Sequence, residues 1–547
     1  MSNTRLTGVG VSPGVASGPV VLVAPPLPEP PEHPAPADPA AEAARIEPAA
    51  QLVADRLEAA AKLADGEAQA VLETTAAMAA DPALISQAEE LVRGGLPAPR
   101  AVYQAAATFA AALEAAGGYL AERVSDIIDI RNRLVAELLG LTPPGVPELT
   151  GPSVLVAKDL APADTAGLDP AKVLALVTEE GGPTSHTAIL ARALGIPAVV
   201  ACRGILDHEL TGLLVDGETG VVELTTGQVR VQAAVASTAT DWNGVGSTAD
   251  GYRVKVLANV GSATDAKAGA AAGAEGVGLF RTEFCYLAAT EEPDVDAQRA
   301  AYAEVLAPFH GKPVVVRTLD AGADKPLAFL HLDPEPNPAL GVRGLRVARD
   351  RVDLIDRQLA AIAGAAQDSG AEVSVMAPMV ATAQEAAWFA ERAHAAGLSR
   401  AGVMIEVPAA ALSAKEIFAE VDFVSLGTND LAQYVFAADR QVGAVAALND
   451  PWQPALLRLI SLVTEAAVAA DKPAGVCGEA AADPLLACVL TGLGVSSLSM
   501  NAPAITRVGA TLAAVSLEAC EVAARATLAT ADPTTARAAA RAALHLT

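Results

Sequence analysis

From residue 254 onward the chain alternates without a break between short apolar runs and longer helix-compatible segments. The apolar runs lie at 254–260, 276–284, 314–320, 373–379, 402–407, 423–429, 474–479 and 497–501. The segments between and after them cover 265–274, 297–309, 352–366, 383–396, 409–420, 454–470, 484–492 and 505–517. Strands joined by helical crossovers run parallel and bury both faces, so they read as continuous apolar stretches. Eight such repeats predict a (β/α)8 TIM barrel over residues 251–547. The alternative is an open, doubly wound sheet. No Gly-x-Gly-x-x-Gly follows the first run, which weakens the dinucleotide-binding version of that fold.

The first half is built differently. Residues 6–24 read as strands punctuated by Gly and Pro, and 25–39 form a Pro-rich linker. Residues 40–141 lack strand signals and carry Ala/Leu/Glu helices at 46–63, 67–79, 84–94, 101–116 and 120–139. Strand-like runs return at 153–157, 173–177, 198–201, 213–215 and 220–224. The predicted architecture is α/β: an α/β domain from 1–39 plus 142–226, a helical bundle inserted at 40–141, a linker at 227–250, and the barrel.

Composition narrows the possibilities. The 547 residues exceed one ordinary core. Hydrophobic residues make up 52% and aromatics only 3%, which suits alanine-rich α and α/β packing. A formal net charge of -27 argues against nucleic-acid or anionic-membrane binding and fits a basic-faced protein partner. No uninterrupted run of about eighteen apolar residues is present. The start, Met-Ser-Asn-Thr-Arg-Leu-Thr-Gly-Val-Gly, carries no apolar signal core, so a cytoplasmic location without membrane insertion is expected. Five cysteines without a Cys-x-x-Cys pair indicate neither a disulfide framework nor a zinc site. Cys202, Cys285, Cys488 and Cys520 read as structural. His33, His208, His310, His331, His394 and His545 sit in no motif.

Two constellations carry chemistry. In Gly181-Gly182-Pro183-Thr184-Ser185-His186-Thr187-Ala188-Ile189-Leu190, a histidine opens a helix-compatible run. Free backbone N–H groups and the positive dipole end favour an anion there and disfavour imidazolium. A neutral, nucleophilic His186 suits accepting a phosphoryl group; the plain alternative is a capping Thr or Ser beside an incidental histidine. The second constellation lies where barrel strands end, the catalytic face of such a fold. The endings are Arg281-Thr282-Glu283, Arg317-Thr318-Leu319-Asp320, Glu406-Val407-Pro408, Thr428-Asn429-Asp430 and Cys477-Gly478-Glu479. Arg281, Arg317 and Arg440 offer cationic forks for a phosphate and a carboxylate. Glu406 and Asp430 suit Mg2+, which takes further ligands from substrate and water. Asn429 can donate to a substrate oxygen, and Cys477, a soft and weakly acidic group, can serve as a proton donor. Taken singly, Arg281 and Glu283 could form a rim ion pair, Asp430 a helix N-cap, and Cys477 a buried apolar contact.

Together the segments 181–190, 278–284, 317–325, 427–440 and 476–479 resemble enzyme I of the bacterial phosphotransferase system, the phosphoenolpyruvate–protein phosphotransferases. Gly427-Thr-Asn-Asp-Leu-Ala-Gln-Tyr-Val-Phe-Ala-Ala-Asp-Arg440 is close to that family's signature. The resemblance covers essentially the whole chain. It implies that His186 is phosphorylated, that Arg281, Arg317, Asn429 and Arg440 bind phosphoenolpyruvate, and that Glu406 and Asp430 hold Mg2+. It implies that Cys477 protonates the enolate to give pyruvate, with Arg343 a weaker candidate for the phosphate. The helical insert would dock the phosphocarrier HPr, the barrel would mediate a homodimer, and the α/β domain would swivel between them. Pro183 stands where many members carry arginine, and Ala323 where glycine is usual. An ATP-dependent relative would need a phosphate loop of the Gly-x-x-x-x-Gly-Lys-[Ser/Thr] type, which is absent. A barrel lyase acting on pyruvate-like acids would leave the 181–190 motif idle.

Overall fold

The computed structural model describes residues 4–12, 14–23, 28–62, 67–116, 124–141, 145–147, 149, 151–160, 168, 171–181, 187–188, 191, 194–217, 219–225, 242–286, 289, 291–322, 327, 329–330, 332–333, 335–439 and 443–545. The chain divides into two units, Met1–Ala236 and Ser237–Thr547.

In the first unit, β1 (Arg5–Thr7), β2 (Val9–Ser12), β3 (Val15–Leu22), β4 (Ser153–Ala157), β5 (Val173–Thr178), β6 (Ala198–Val200), β7 (Gly212–Asp216) and β8 (Val221–Leu224) form one sheet. Its order is β1-β8-β7-β3-β4-β5-β6-β2. The central strands β3 to β6 are parallel, and the flanking pairs are antiparallel. The run read as strand over 6–24 is therefore three short strands, divided where Gly and Pro interrupt the ladder. All residues of β4 and β5 are buried, which accounts for their unbroken apolar sequence. Helices between β3 and β4 include Ile46–Ala61, Pro82–Arg93, Ala98–Ala116 and Val124–Leu139. They enclose a core of their own around Ile46, Leu57, Leu72, Leu84, Val102, Ile130 and Leu134. Asp81 caps the second of these helices through the Ala83 N–H at 2.7 Å, with Pro82 at its first position.

The second unit is a closed parallel barrel. Its strands are β9 (Lys255–Val260), β10 (Val277–Arg281), β11 (Pro313–Arg317), β12 (Glu372–Ala377), β13 (Ala401–Ile405), β14 (Phe423–Leu426), β15 (Ala474–Val476) and β16 (Ser497–Met500). They pair in chain order, and β16 returns to β9. This is the predicted α/β class, with the TIM barrel in place of the open sheet. Local chemistry starts the crossover helices: Ser262 caps Ala263–Ala271, Asp294 caps Val295–Leu306, and Thr382 with Glu385 forms a capping box for Ala383–Ala395. Several helices differ from expectation, Leu345–Asp350, Leu517–Leu528 and Pro533–Leu544 being additional to the eight read from the sequence. The segment 409–420 is broken at Ser413 into Pro408–Leu412 and Ala414–Glu420. A short helix, Thr428–Phe436, directly follows β14.

The main core lies between strands and helices, from Val256 and Phe280 through Phe389 and Trp452 to Leu512. A separate apolar cluster of Leu279, Met376, Met404, Phe423 and Cys477 is joined by the partly buried Val315. The stretch Ala447–Ala470 has the length and apolar composition to cross a membrane. Its Trp452, Leu456, Leu457, Ile460 and Val463 are part of the barrel core.

The crossover helix Pro484–Gly492 and the later helix Leu517–Leu528 meet with almost no space between backbones. A Cβ on Gly492 would lie 2.1 Å from the Cys520 carbonyl oxygen, and that oxygen cannot swing aside as a side chain would. Gly492→Ala is expected to destabilise the barrel by about 1–3 kcal/mol, read as a lower midpoint for its thermal unfolding.

Candidate functional site

The barrel register sets Arg281, the last residue of β10, beside Arg317, the last residue of β11. Two like charges in adjacent register need counter-charges. Arg317 is buried, and its Nη2 donates to the Glu283 carboxylate. Its Nη1 lies 3.1 Å from Asp320 and 3.9 Å from the Met404 sulfur. Burial alone would depress its pKa, but Glu283 and Asp320 hold it above the ordinary arginine value. Glu283 thus serves Arg317 rather than making the rim ion pair with Arg281 that sequence proximity offers. The Arg281 guanidinium lies over the Phe284 ring, 4.5 Å from its centre.

Arg343 is the centre of the network, at 1% exposure. Its Nε and Nη2 donate to Asp320 at 2.9 and 3.0 Å. Its Nη1 and Nη2 also reach Asp430 at 3.3 and 3.1 Å. Nη1 is 3.3 Å from the Tyr434 hydroxyl, which donates onward to the Ala339 carbonyl. Burial by itself would lower the Arg343 pKa; Asp320 and Asp430 raise it instead. Asp430 is not the N-cap of its helix. The helix starts at Thr428 after Gly427, which puts Asp430 in the first turn, where a carboxylate meets the positive dipole end.

Glu406 follows β13 and is fully buried. One carboxyl oxygen, Oε1, accepts the Met379 N–H at 2.6 Å. The other, Oε2, is buried without a hydrogen-bond partner. Burial first, then repulsion from Asp430 and Asp320, pushes its pKa up to about 7, against the pull of Arg343 and Arg317. Gly427 leaves the room this carboxyl needs, since a Cβ there would stand 2.7 Å from Oε2. An open carboxylate oxygen close to Asp430 is what a hard divalent cation requires, so Glu406 and Asp430 fit Mg2+. Among the described residues no group of three or more His, Cys, Asp and Glu side chains is placed to cage a metal by itself.

Cys477 follows β15. It is 3% exposed, and its thiol donates to the Leu426 carbonyl at 3.5 Å. Burial, with Glu406 adding to it, pushes the thiol up to about 11, so it stays protonated at neutral pH. Its carbonyl accepts from Asn259 at 3.0 Å. Asn429 accepts the Glu479 N–H at 3.2 Å, tying the helix after β14 to the loop after β15. Cys202, Cys488 and Cys520 are buried and Cys285 is half-buried, all as free thiols.

The structure thus gathers Arg317, Glu406, Asp430 and Cys477 into one electrostatic neighbourhood, with Arg281 and Asn429 at adjoining strand ends. His186 and Arg440 lie outside the described residues, as do Pro183 and Ala323. Next to His186 in the sequence, Thr187 is helical and buried. Asp320 received no role from sequence. Its place three residues after Arg317 was the available signal, but only burial shows that it must bind guanidinium. Gln358 was also missed. Its Oε1 accepts the Leu319 N–H at 3.0 Å, and its Nε2 donates to Thr282 and Tyr302 at 3.1 Å each.

Comparison with known proteins agrees with this geometry. Residues 236–517 match the family model described as PEP-utilising enzyme, PEP-binding domain. Residues 7–123 match the N-terminal model of PEP-utilising enzymes, and 149–220 the mobile-domain model. A phosphoenolpyruvate-protein phosphotransferase of Streptomyces coelicolor is 54% identical over 99% of both chains. One from Haloferax volcanii is 40% identical over 94% of both. A multiphosphoryl transfer protein of Rhodobacter capsulatus is 40% identical over 79% of this chain and 54% of its own length. The chain belongs to the PEP-utilising enzymes and, within them, to the phosphoenolpyruvate–protein phosphotransferases, or enzymes I. It is a transferase of phosphoryl groups from phosphoenolpyruvate.

The raised Glu406 pKa fixes the sign of one pH effect. The folded state prefers the protonated acid, so this group costs stability as pH rises from the ordinary value of 4.5 through about 7. In metal-free protein, Glu406→Gln should unfold at higher temperature than wild type at pH 8. The advantage, at most about 3 kcal/mol, should vanish near pH 4.5. Thermal scans of both proteins in chelator across that range check it.

Proposed function

We propose that the chain takes the phosphoryl group of phosphoenolpyruvate onto a ring nitrogen of His186, releases pyruvate, and passes the group to the histidine of the phosphocarrier HPr. That is the first step of phosphotransferase-system sugar uptake. The observation that carries the proposal is the convergence of Arg317, Glu406, Asp430 and the protonated Cys477 at the barrel's strand ends. The relative named for multiphosphoryl transfer supports a chain of acceptors beyond the first.

Arg281, Arg317, Asn429 and Arg440 would bind the phosphate and carboxylate of the substrate. Glu406 and Asp430 would hold Mg2+, which when bound supplies Lewis-acid stabilisation of developing negative charge. Neutral His186 attacks phosphorus in line, and the bond from phosphorus to the enol oxygen breaks. Arginine charge meets the phosphoryl oxygens and the enolate as they develop. The Cys477 thiol then donates its proton to the methylene carbon, giving pyruvate, and regains a proton from solvent. Its burial favours this role, since a thiol kept neutral is ready to donate to a stronger carbon base. The inserted helices would dock HPr, the protein would act in the cytoplasm, and the barrel would carry a homodimer interface.

Intact mass after incubation with phosphoenolpyruvate and Mg2+ should show one added phosphoryl group, lost in acid and absent from His186→Ala. Absence of both the added mass and pyruvate would move a lyase reading ahead. Cys477→Ala should fold and bind substrate, yet form pyruvate about 10²–10⁴-fold more slowly, measured by coupled pyruvate assay.

A further inference from the structure

We propose that Arg343 is a positioning residue that occupies Asp430 while the cation site is empty and yields it when the cation binds. This rests on the reading of Glu406 and Asp430 as cation ligands.

The two proposed ligands are unequally prepared. Glu406 presents a bare oxygen, Oε2, whereas both oxygens of Asp430 are engaged by the Arg343 fork. A cation and a guanidinium both seek the carboxylate lone pairs, so a cation at Asp430 competes there with the Arg343 fork. The fork has somewhere to stay. Its Nε and Nη2 hold Asp320 at 2.9 and 3.0 Å, closer than the 3.3 and 3.1 Å to Asp430. Asp320 is 0% exposed and also pairs with Arg317, so it is fixed on two sides. Release of Asp430 thus leaves the guanidinium paired rather than stranded, which a buried charge requires. The same guanidinium offsets the repulsion that Asp430 exerts on Glu406.

The apparent cation affinity is then the intrinsic affinity reduced by the fraction of molecules in which Asp430 is free. Lysine in place of Arg343 keeps the charge but removes the planar fork. Mn2+ serves as probe, with unbound ion counted by electron paramagnetic resonance and no phosphoenolpyruvate present. Glu406→Gln should bind Mn2+ much more weakly than wild type, and equal binding would overturn the cation-site reading itself. Given that control, Arg343→Lys should bind Mn2+ about tenfold more tightly than wild type. Unchanged or weaker binding by Arg343→Lys would overturn the placeholder role while leaving the cation site standing. A second measurement needs no variant. In a crystal of wild type soaked in Mg2+, Arg343 should keep both contacts to Asp320 and lose those to Asp430. An ion bound beside an intact Arg343–Asp430 pair would refute the exchange.

Discussion

The barrel mouth depends on a chain of desolvated ion pairs running from Glu283 through Arg317, Asp320 and Arg343 to Asp430. Removing such charges from water is costly unless each finds a partner in good geometry, and here each guanidinium touches two carboxylates. The chain crosses four parts of the fold: the turn after β10, the end of β11, the loop reaching Arg343, and the helix after β14. Deleting one member strands its neighbours. The arrangement therefore fixes the positions of these elements as well as their charge. Among the described residues Glu283 and Glu406 each keep a buried carboxyl oxygen without a hydrogen bond, and burial with repulsion from Asp430 and Asp320 raises the Glu406 pKa. Electrostatic preorganisation of this kind is what phosphoryl transfer asks of a protein, since charge rather than covalent chemistry dominates its transition state.

The surrounding scaffold makes such a site tolerable. Behind Arg317, Thr282 donates to the Arg317 carbonyl at 2.9 Å, and Gln358 links Thr282 to Tyr302 and the Leu319 backbone. Tyr286 extends the network to Gln298 at 2.8 Å. These neutral contacts hold the backbone from which the charged groups project. Met404, beside Arg317, belongs to the same small apolar cluster as Cys477. Low polarity on that side keeps the thiol protonated, while the carboxylates on the other side are arranged around guanidinium. The strand ends thus hold a neutral acid and a set of charged groups side by side.

The barrel strands were legible because most of their residues are buried, so the sequence there runs largely apolar. The crossover helices begin after Ser262, Asp294, Thr382 and Asp483, whose side chains bond to backbone donors within the same few residues. The break at Ser413 left no comparable mark, since residues on both sides are good helix formers. At the site, the residue types at five strand ends were legible because the fold places those ends on one face. Their partners were not. Arg281 and Glu283 are two apart in sequence, yet Glu283 turns to Arg317, thirty-four positions away, because strand register decides the neighbours.

By itself the sequence determined the strand–helix alternation, the inserted helices, the family, and which residues stand where strands end, since these follow from local periodicity and short motifs. Only the tertiary structure decided that Asp320 joins the site, that Arg343 pairs with both Asp320 and Asp430, that Asp430 lies inside its helix, and that Glu406 and Cys477 are held protonated more readily than in water. Those properties arise from burial and from contacts between distant segments. No local pattern encodes how far a charge will lie from solvent or which opposite charge will meet it there.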